Sequence, residues 1–303
     1  MDRFFEYIFI GLSNGAIYAM VALGLVVIFR GTGHLNFAQG EMATLSTFFT
    51  WWLFDDARGL GLPMLLAIVG GMLFGAALGA TVETTLMRPL DRRSPLAVFV
   101  ATIALFLGIN AFNVGVWGQL PDELMFNVFP DRPDSFLSLL GTTWRYEYIG
   151  MLVVMLIVAA VLFLLFQKTK FGLAMRATAS NPTSSRLVGI RTSVVLAGSW
   201  AIAGAMGALA GILFAGIQGQ VNPLLMFSVF VYASASATLG GLDSPGGAVV
   251  GGLLIGVFEN LAAGYAPEWI GQEMKLVVAL LAIFVVLLFK PSGLFGTSKI
   301  VRV

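Results

Sequence analysis

Residues 168–191 read KTKFGLAMRATASNPTSSRLVGIR, with five basic side chains (Lys168, Lys170, Arg176, Arg186, Arg191) and no acid. The chain on either side is strongly apolar, Tyr148 to Phe166 before and Val194 to Ile217 after. A basic, helix-competent insert between two membrane-length runs reads as a cytosolic loop, because Lys and Arg accumulate in loops on that side of a bilayer. Within it, Ser180 or Asn181 can cap a helix that has Pro182 at its first position, and Gly189 can end it. That helix is short, roughly two turns, with Arg186 and Arg191 near its end. Held between two membrane helices, it makes a rigid knob suited to contact with another protein. A loop serving only to set topology would explain the charge but not the compact capped helix.

The composition agrees with a membrane protein. Of 303 residues, 58% are hydrophobic and 11% charged, with a mean hydropathy of +0.91. A soluble domain averages about 25% charged residues. The class is therefore all-α, a polytopic transmembrane helical bundle. Continuous rather than alternating apolar runs disfavour a β-barrel. A net charge of +1 gives no general attraction to nucleic acid, and the absence of cysteine removes disulfides and thiolate chemistry. The single histidine, His34, builds no metal site by itself. No Gly-x-x-x-x-Gly-Lys-Ser/Thr phosphate loop occurs, and no nucleophile, base and metal set is visible. The chain is expected not to be an enzyme, with energy for uphill transport coming from a partner or an ion gradient. Asp2 and Glu6 outweigh Arg3, so the N-terminus does not read as a cleavable signal.

The apolar segments fall at 6–29, 37–54, 62–87, 95–117, 146–167, 194–218, 223–241, 246–265 and 271–289. A crossing needs roughly 20 apolar residues. Segments 37–54 and 223–241 are the short or polar ones, each either spanning or partly re-entrant. The expectation is eight to nine membrane segments in one transmembrane domain over 1–303. With loop 168–193 in the cytosol, alternation puts Arg30, Arg88, Arg92, Arg93, Lys290, Lys299 and Arg302 on the same side. The acids Asp55, Asp56, Asp122, Glu123, Asp131, Asp134, Glu147, Glu268 and Glu273 fall opposite. That asymmetry places the C-terminus in the cytosol for nine segments. The 118–145 connection carries Pro121, Pro130 and Pro133, which argue against a regular helix. It is either a lid-like docking element or a solvated loop.

Small residues recur on single helical stripes: Gly71, Gly75 and Gly79; Gly207 and Gly211; Gly252 and Gly256. In lipid such stripes let backbones approach and pack. Two stretches share the form Gly-x-(Leu/Val)-Asn before an apolar run: Gly33 to Asn36 and Gly219 to Asn222. Asn36 with Gln39 has the form of a capping box, Glu41 falls in the first turn, and Asn222 precedes Pro223. Helices are thus expected to start at Asn36 and at Pro223. Interrupted helices of this kind point their N-termini at substrate in transporters built from inverted halves. Here the halves would be 6–117 and 194–289, linked by 146–193, with Asn36, Gln39, Glu41 and Asn222 on the substrate path. Glu83 and Glu259 lie inside apolar segments. Glu83, near the inner end of its segment, could pair with Arg88, and Glu259, near the outer end, could reach toward the interface.

Met175-Arg176-Ala177-Thr178-Ala179-Ser180-Asn181-Pro182, continuing to Leu187-Val188-Gly189-Ile190, resembles the coupling loop of branched-chain amino acid ABC permeases of the LivH type. Asn36-Phe37-Ala38-Gln39-Gly40-Glu41 is similar to that family's signature after its first helix. Leu239 to Gly247 (LGGLDSPGG) and Lys290 to Gly296 (KPSGLFG) are similar to two further stretches. Gln39 stands where many members carry histidine, and Asp243 where glycine is frequent. The resemblance implies a multi-pass permease of a bacterial inner membrane, forming half the path of an importer for branched-chain amino acids. It implies a second related permease, two cytosolic ATPase subunits that bind ATP and Mg, and an extracytoplasmic substrate-binding protein. No cofactor is expected in this chain. Arg176, Asn181, Pro182, Ser185, Arg186 and Gly189 are the residues it assigns to ATPase coupling. Relatives carrying urea, amides or other small organic solutes are the alternative within the family, and an ion-coupled transporter is the alternative outside it.

Overall fold

The structure is a computed structural model that describes residues 2–91, 94–118, 124–126, 128, 136–139, 142–265, 274–290 and 292–296. The helices are α1 (Asp2–Thr32), α2 (Gln39–Phe54), α3 (Met64–Val82), α4 (Arg88–Asp91), α5 (Pro95–Val116), α6 (Tyr146–Lys168), α7 (Lys170–Ser180), α8 (Pro182–Leu187), α9 (Thr192–Gln218), α10 (Phe227–Gly240), α11 (Pro245–Tyr265) and α12 (Met274–Phe289). A π-helical turn, Glu83–Met87, joins α3 to α4. Four short strands complete the order: β1 (Leu124–Met125), β2 (Phe136–Leu139), β3 (Thr142–Arg145) and β4 (Gln220–Val221).

Every apolar segment of the sequence is a helix, but among the described residues only six helices are long and apolar enough to cross a membrane. They are Arg3–Thr32, Met64–Leu90, Leu96–Val116, Tyr146–Lys168, Thr192–Gln218 and Pro245–Tyr265. α2 and α10 have 16 and 14 residues, and 16 residues of α12 are described, directly after the undescribed stretch 266–273. Sixteen residues rise about 24 Å, short of a hydrocarbon core of about 30 Å. Among the described residues, six of the expected eight or nine segments thus meet the length of a crossing. Outward-facing Leu65, Leu66 and Leu73 of α3, and Leu156 and Phe163 of α6, are exposed. Apolar surface of this kind belongs against lipid.

The chain divides into two compact units. In the unit of residues 27–130 and 158–229, α9 packs between α2 and α3. A Cβ on Gly75 would lie 2.6 Å from the Gly204 carbonyl oxygen and 2.9 Å from Ala208 Cβ. Gly79 stands against the Trp200 carbonyl, and Gly71 against the Thr50 hydroxyl. On the facing side, a Cβ on Gly207 would lie 3.0 Å from Gln39 Nε2, and Gly211 meets Thr47. Only residues without a side chain admit such contacts. A buried apolar cluster beside these contacts includes Ile28, Met42, Val82, Val98, Ile109 and Trp200.

In the unit of residues 1–26, 131–157 and 230–303, α1 packs against α10 and α11. Cβ atoms on Gly11 and Gly15 would each lie 2.7 Å from carbonyl oxygens, those of Gly256 and Gly252. Gly251 faces the Ser236 carbonyl. Tyr18 donates to Glu259 Oε2 at 2.6 Å and stacks on Tyr232 with ring centroids 5.0 Å apart. Glu259 is 6% exposed. It is thus an internal acceptor, not a side chain reaching to the interface, because α11 turns it toward α1. At the end of α10, the Leu294 amide donates to the Leu239 carbonyl at 2.7 Å and Phe295 to Gly240 at 3.0 Å. The LGGLDSPGG and KPSGLFG stretches therefore form one backbone lock. The same scheme recurs in the two units, a long glycine-bearing helix against a short helix and its successor.

Of the 118–145 connection, β1 pairs antiparallel with β4, Leu124 opposite Val221, and β2 pairs with β3. Phe126 is buried and its amide donates to Gly219 at 3.0 Å. That part is docked on the fold, against the reading of a solvated loop. Pro121, Pro130 and Pro133 lie outside the described residues.

The glycine contacts yield a paired expectation. Gly75→Ile drives a branched side chain into the α9 backbone and lowers the detergent-solubilised Tm strongly, overpacking of a tight core costing about 1–3 kcal/mol or more. Gly108→Ala, at an α5 position with nothing within 4 Å, leaves Tm unchanged or slightly raised. A thermal melt of both variants beside the wild type checks the contrast.

Candidate functional site

The basic stretch folds as two short helices, not one. Thr169 ends α6 and caps α7, its Oγ1 accepting from the Gly172 amide at 3.0 Å. Gly172 packs so close to Phe166 and Leu165 that a side chain there would meet their backbone. α7 then lays Gly172, Met175 and Thr178 inward. The sequence reading missed this helix, although Thr169 followed by a Gly172, Met175, Thr178 spacing carries its signal. Arg176 Nη1 donates to Gln167 Oε1 at 2.7 Å, tying α7 back to α6.

Asn181 serves both helices. Its amide donates to the Ala177 carbonyl at the end of α7, and its Oδ1 accepts from the Ser184 amide at 2.9 Å at the start of α8. Pro182 occupies the first turn of α8. Ser185 is the buried residue of α8, with Oγ donating to the Asn181 carbonyl at 2.8 Å. Gly189 turns the chain with φ of 86°, a value that favours glycine. Arg186 Nε donates to Thr192 Oγ1 at 3.0 Å, tying α8 to the first turn of α9. Beyond it Leu187 and Val188 stand 84% and 76% exposed. That apolar tip on a basic knob was not singled out from the sequence.

The α9 entry is braced from a third direction. Arg88 makes a double hydrogen bond to Glu83, Nη2 to Oε2 at 2.6 Å and Nε to Oε1 at 3.1 Å. It also donates to the Ser193 carbonyl at 3.0 Å. Burial of Glu83 is tolerable because its charge is paired in this way.

The two interruptions are built alike. Gly33 has φ of 75° and Gly219 has φ of 69°, each just past the end of a long helix. Three residues on, Asn36 Oδ1 accepts from the Ala38 amide at 3.0 Å, and Asn222 Oδ1 accepts from the Leu224 amide at 3.1 Å. Both are turns in which the asparagine bonds the amide two residues ahead. The helices consequently begin later than expected, at Gln39 and Phe227 rather than at Asn36 and Pro223. No capping box forms. Gln39 receives the Asn36 side chain at 3.2 Å and gives its own Nε2 to the Ala203 carbonyl of α9 at 2.8 Å.

Asn36, Gln39 and Glu41 thus lie together at the first break, all buried. Glu41 sits beside Asn110 and Asn113 of α5. Among the described residues its Oε2 and both polar atoms of the Asn113 side chain are buried without a hydrogen bond of ordinary geometry, although the Asn110 and Asn113 amides lie close enough to interact with the carboxylate. Asn113 was not a sequence candidate, since an asparagine in an apolar helix gives no sign of which face it occupies. Asn222 does not join this group. It follows the end of α9, about four turns or ~22 Å beyond the Ala203 that Gln39 touches.

The model of the family described as "Branched-chain amino acid transport system / permease component" matches residues 7–287. The chain is 27% identical to the high-affinity branched-chain amino acid transport permease LivH of Salmonella typhimurium, covering 99% of this chain and 98% of that one. It is 29% identical to BraD of Pseudomonas aeruginosa, a permease of the same description, over 97% and 96%. A nucleoside ABC transporter permease, NupB of Lactococcus lactis, is 26% identical over 82% of this chain and 69% of its own. Among solved structures, a chain of PsaBC from Streptococcus pneumoniae in complex with Fab aligns with a TM-score of 0.50 and 12% identity, over 93% and 91% of the two chains. That likeness concerns the fold. The apolar helices, the capped basic knob and a match running from residue 7 to residue 287 converge: the chain belongs to the permease component family of branched-chain amino acid ABC transport systems.

Proposed function

We propose that this permease forms half of the translocation path of an importer for branched-chain, hydrophobic amino acids, driven by separate ATPase subunits through α7 and α8. The observation that carries the reading is the knob itself. Asn181 joins its two helices, Arg176 fastens it to α6, Arg186 fastens it to α9, and its tip presents Leu187 and Val188. A lever tied at both ends transmits a displacement, whereas a loose loop would absorb it. Leu187 and Val188 supply the apolar anchor that a partner cleft buries, and the surrounding arginines supply its charged rim.

On this reading loop 168–193 and the C-terminus face the cytosol of a bacterial cell, and ATP and Mg are held by two ATPases docked there. A second related permease completes the path, and an extracytoplasmic binding protein delivers the solute. Asn36, Gln39 and Glu41 line the path at the first break, and Asn222 marks its counterpart. The recurrence of left-handed glycine, asparagine turn and short helix at both breaks supports two inverted halves. A second reading within the family is a nucleoside or other small organic solute, favoured by the likeness to NupB. The branched-chain reading is preferred because LivH and BraD match over nearly the whole chain.

Arg186→Glu is expected to abolish ATP-driven uptake of leucine in proteoliposomes of the complete transporter while the protein still inserts. Normal uptake would remove α8 from the mechanism. Purification from native membranes should recover two ATPases and a second permease; the chain recovered alone, and active without ATP, would support ion coupling. Asn181→Ala should weaken α8 by about 1 kcal/mol, read as faster amide exchange at Ser184 and Ser185.

A further inference from the structure

A cavity of about 300 Å³ opens where α8 meets the first turns of α9, within the unit of residues 27–130 and 158–229. That volume is at the lower end of the usual range for small-molecule pockets. Its apolar walls are Leu35, Met87, Val98 and Leu196. Its polar lining includes Arg186, Thr192 and Trp200. Trp200 is 2% exposed, and among the described residues its indole Nε1 has no hydrogen-bond partner. A buried N–H without an acceptor is unfavourable, and this one belongs to a residue that lines the cavity. Among the described residues, Arg186 uses only Nε, toward Thr192, and its terminal nitrogens make no hydrogen bond or ion pair. Glu83 and Arg88 are also on the wall, and they neutralise each other through their ion pair, so the carboxylate and the second guanidinium cancel and Arg186 remains the net charge of the lining.

We propose that this cavity binds a small anion with a short aliphatic group, its carboxylate or phosphate taken by Arg186 and the Trp200 indole N–H and its apolar part by the Leu35, Met87, Val98 and Leu196 walls. The donors are of the kind that recognise a planar or tetrahedral oxyanion. The chamber is too small for a folded polypeptide segment and too apolar on one side for a hydrophilic ion alone. An occupant bridges Arg186 on α8 and Trp200 on α9, and so holds the knob against the helix it moves. That consequence for coupling rests on the importer reading above; the binding does not.

The test uses the full-length chain in phosphatidylcholine nanodiscs, with isovalerate as probe and saturation-transfer difference as readout. Saturable transfer to the isovalerate methyls is expected. Trp200→Phe, which keeps an aromatic ring and deletes the N–H, should weaken it about fivefold. Leu196→Trp, which fills the cavity, should abolish it. Retention of phosphatidylglycerol in native mass spectra by wild type, with release from Trp200→Phe and no transfer to isovalerate, supports the same site with a lipid headgroup as the anion. Neither probe bound by the wild type, or both bound equally by wild type and both variants, overturns the proposal. Because no ATP or transport enters the measurement, its failure is separable from failure of the importer reading.

Discussion

Everything in this molecule depends on how closely two helix backbones approach in the absence of a hydrophobic drive. Lipid tails are as apolar as leucine, so burying Leu65 or Leu73 against another helix gains little over leaving it outside. What does favour association is close van der Waals contact and polar contact between backbones. Gly75 against Gly204, and Gly15 against Gly252, supply the approach. The helices α9 and α1 are the ones so gripped, one in each unit. Large apolar side chains are left facing outward, which inverts the layout of a soluble core.

A second constraint acts where helices stop. Every backbone polar group released there needs a partner wherever water is scarce. At Asn36 and Asn222 the side chain accepts the amide two residues ahead, and at Gly33 and Gly219 the chain reverses. At Ala203 the Gln39 amide takes a carbonyl of an intact helix. At Leu239 and Gly240 the carbonyls are satisfied by the amides of Leu294 and Phe295. Each interruption therefore carries its own partner, and each coincides with a stretch that reads as a signature in the sequence.

Much of this was legible beforehand, for physical reasons. Apolar runs report helices directly, so the segments emerged at nearly their observed positions. Asn181, Pro182 and Gly189 are local signals, and α8 lies between them. The start of α2 was placed three residues early because an asparagine can either cap a helix or form a turn ahead of one, and only the contact with α9 decides. Glu259 was expected at the interface because hydropathy does not report helix rotation; the Tyr18 hydroxyl that holds it comes from a residue far away in the chain. Asn113 and Trp200 escaped for the same reason. The direction in which a polar side chain leaves an apolar helix is a tertiary fact.

The π-helical turn at Glu83–Met87 has a bearing on how this end of the fold keeps its alignment. In an ordinary α-helix, residues five apart point about 140° away from each other. Here the Arg88 amide bonds back to the Glu83 carbonyl across five residues, and the widened turn swings both side chains to one side. The carboxylate and guanidinium meet only because one surplus residue is accommodated there. Excising that residue would leave a continuous, well-bonded helix in the bilayer, yet every group beyond it would be rotated away from its present neighbour. The helix register at this turn is therefore a phase setting, through which the α3 rod addresses the entrance of α9.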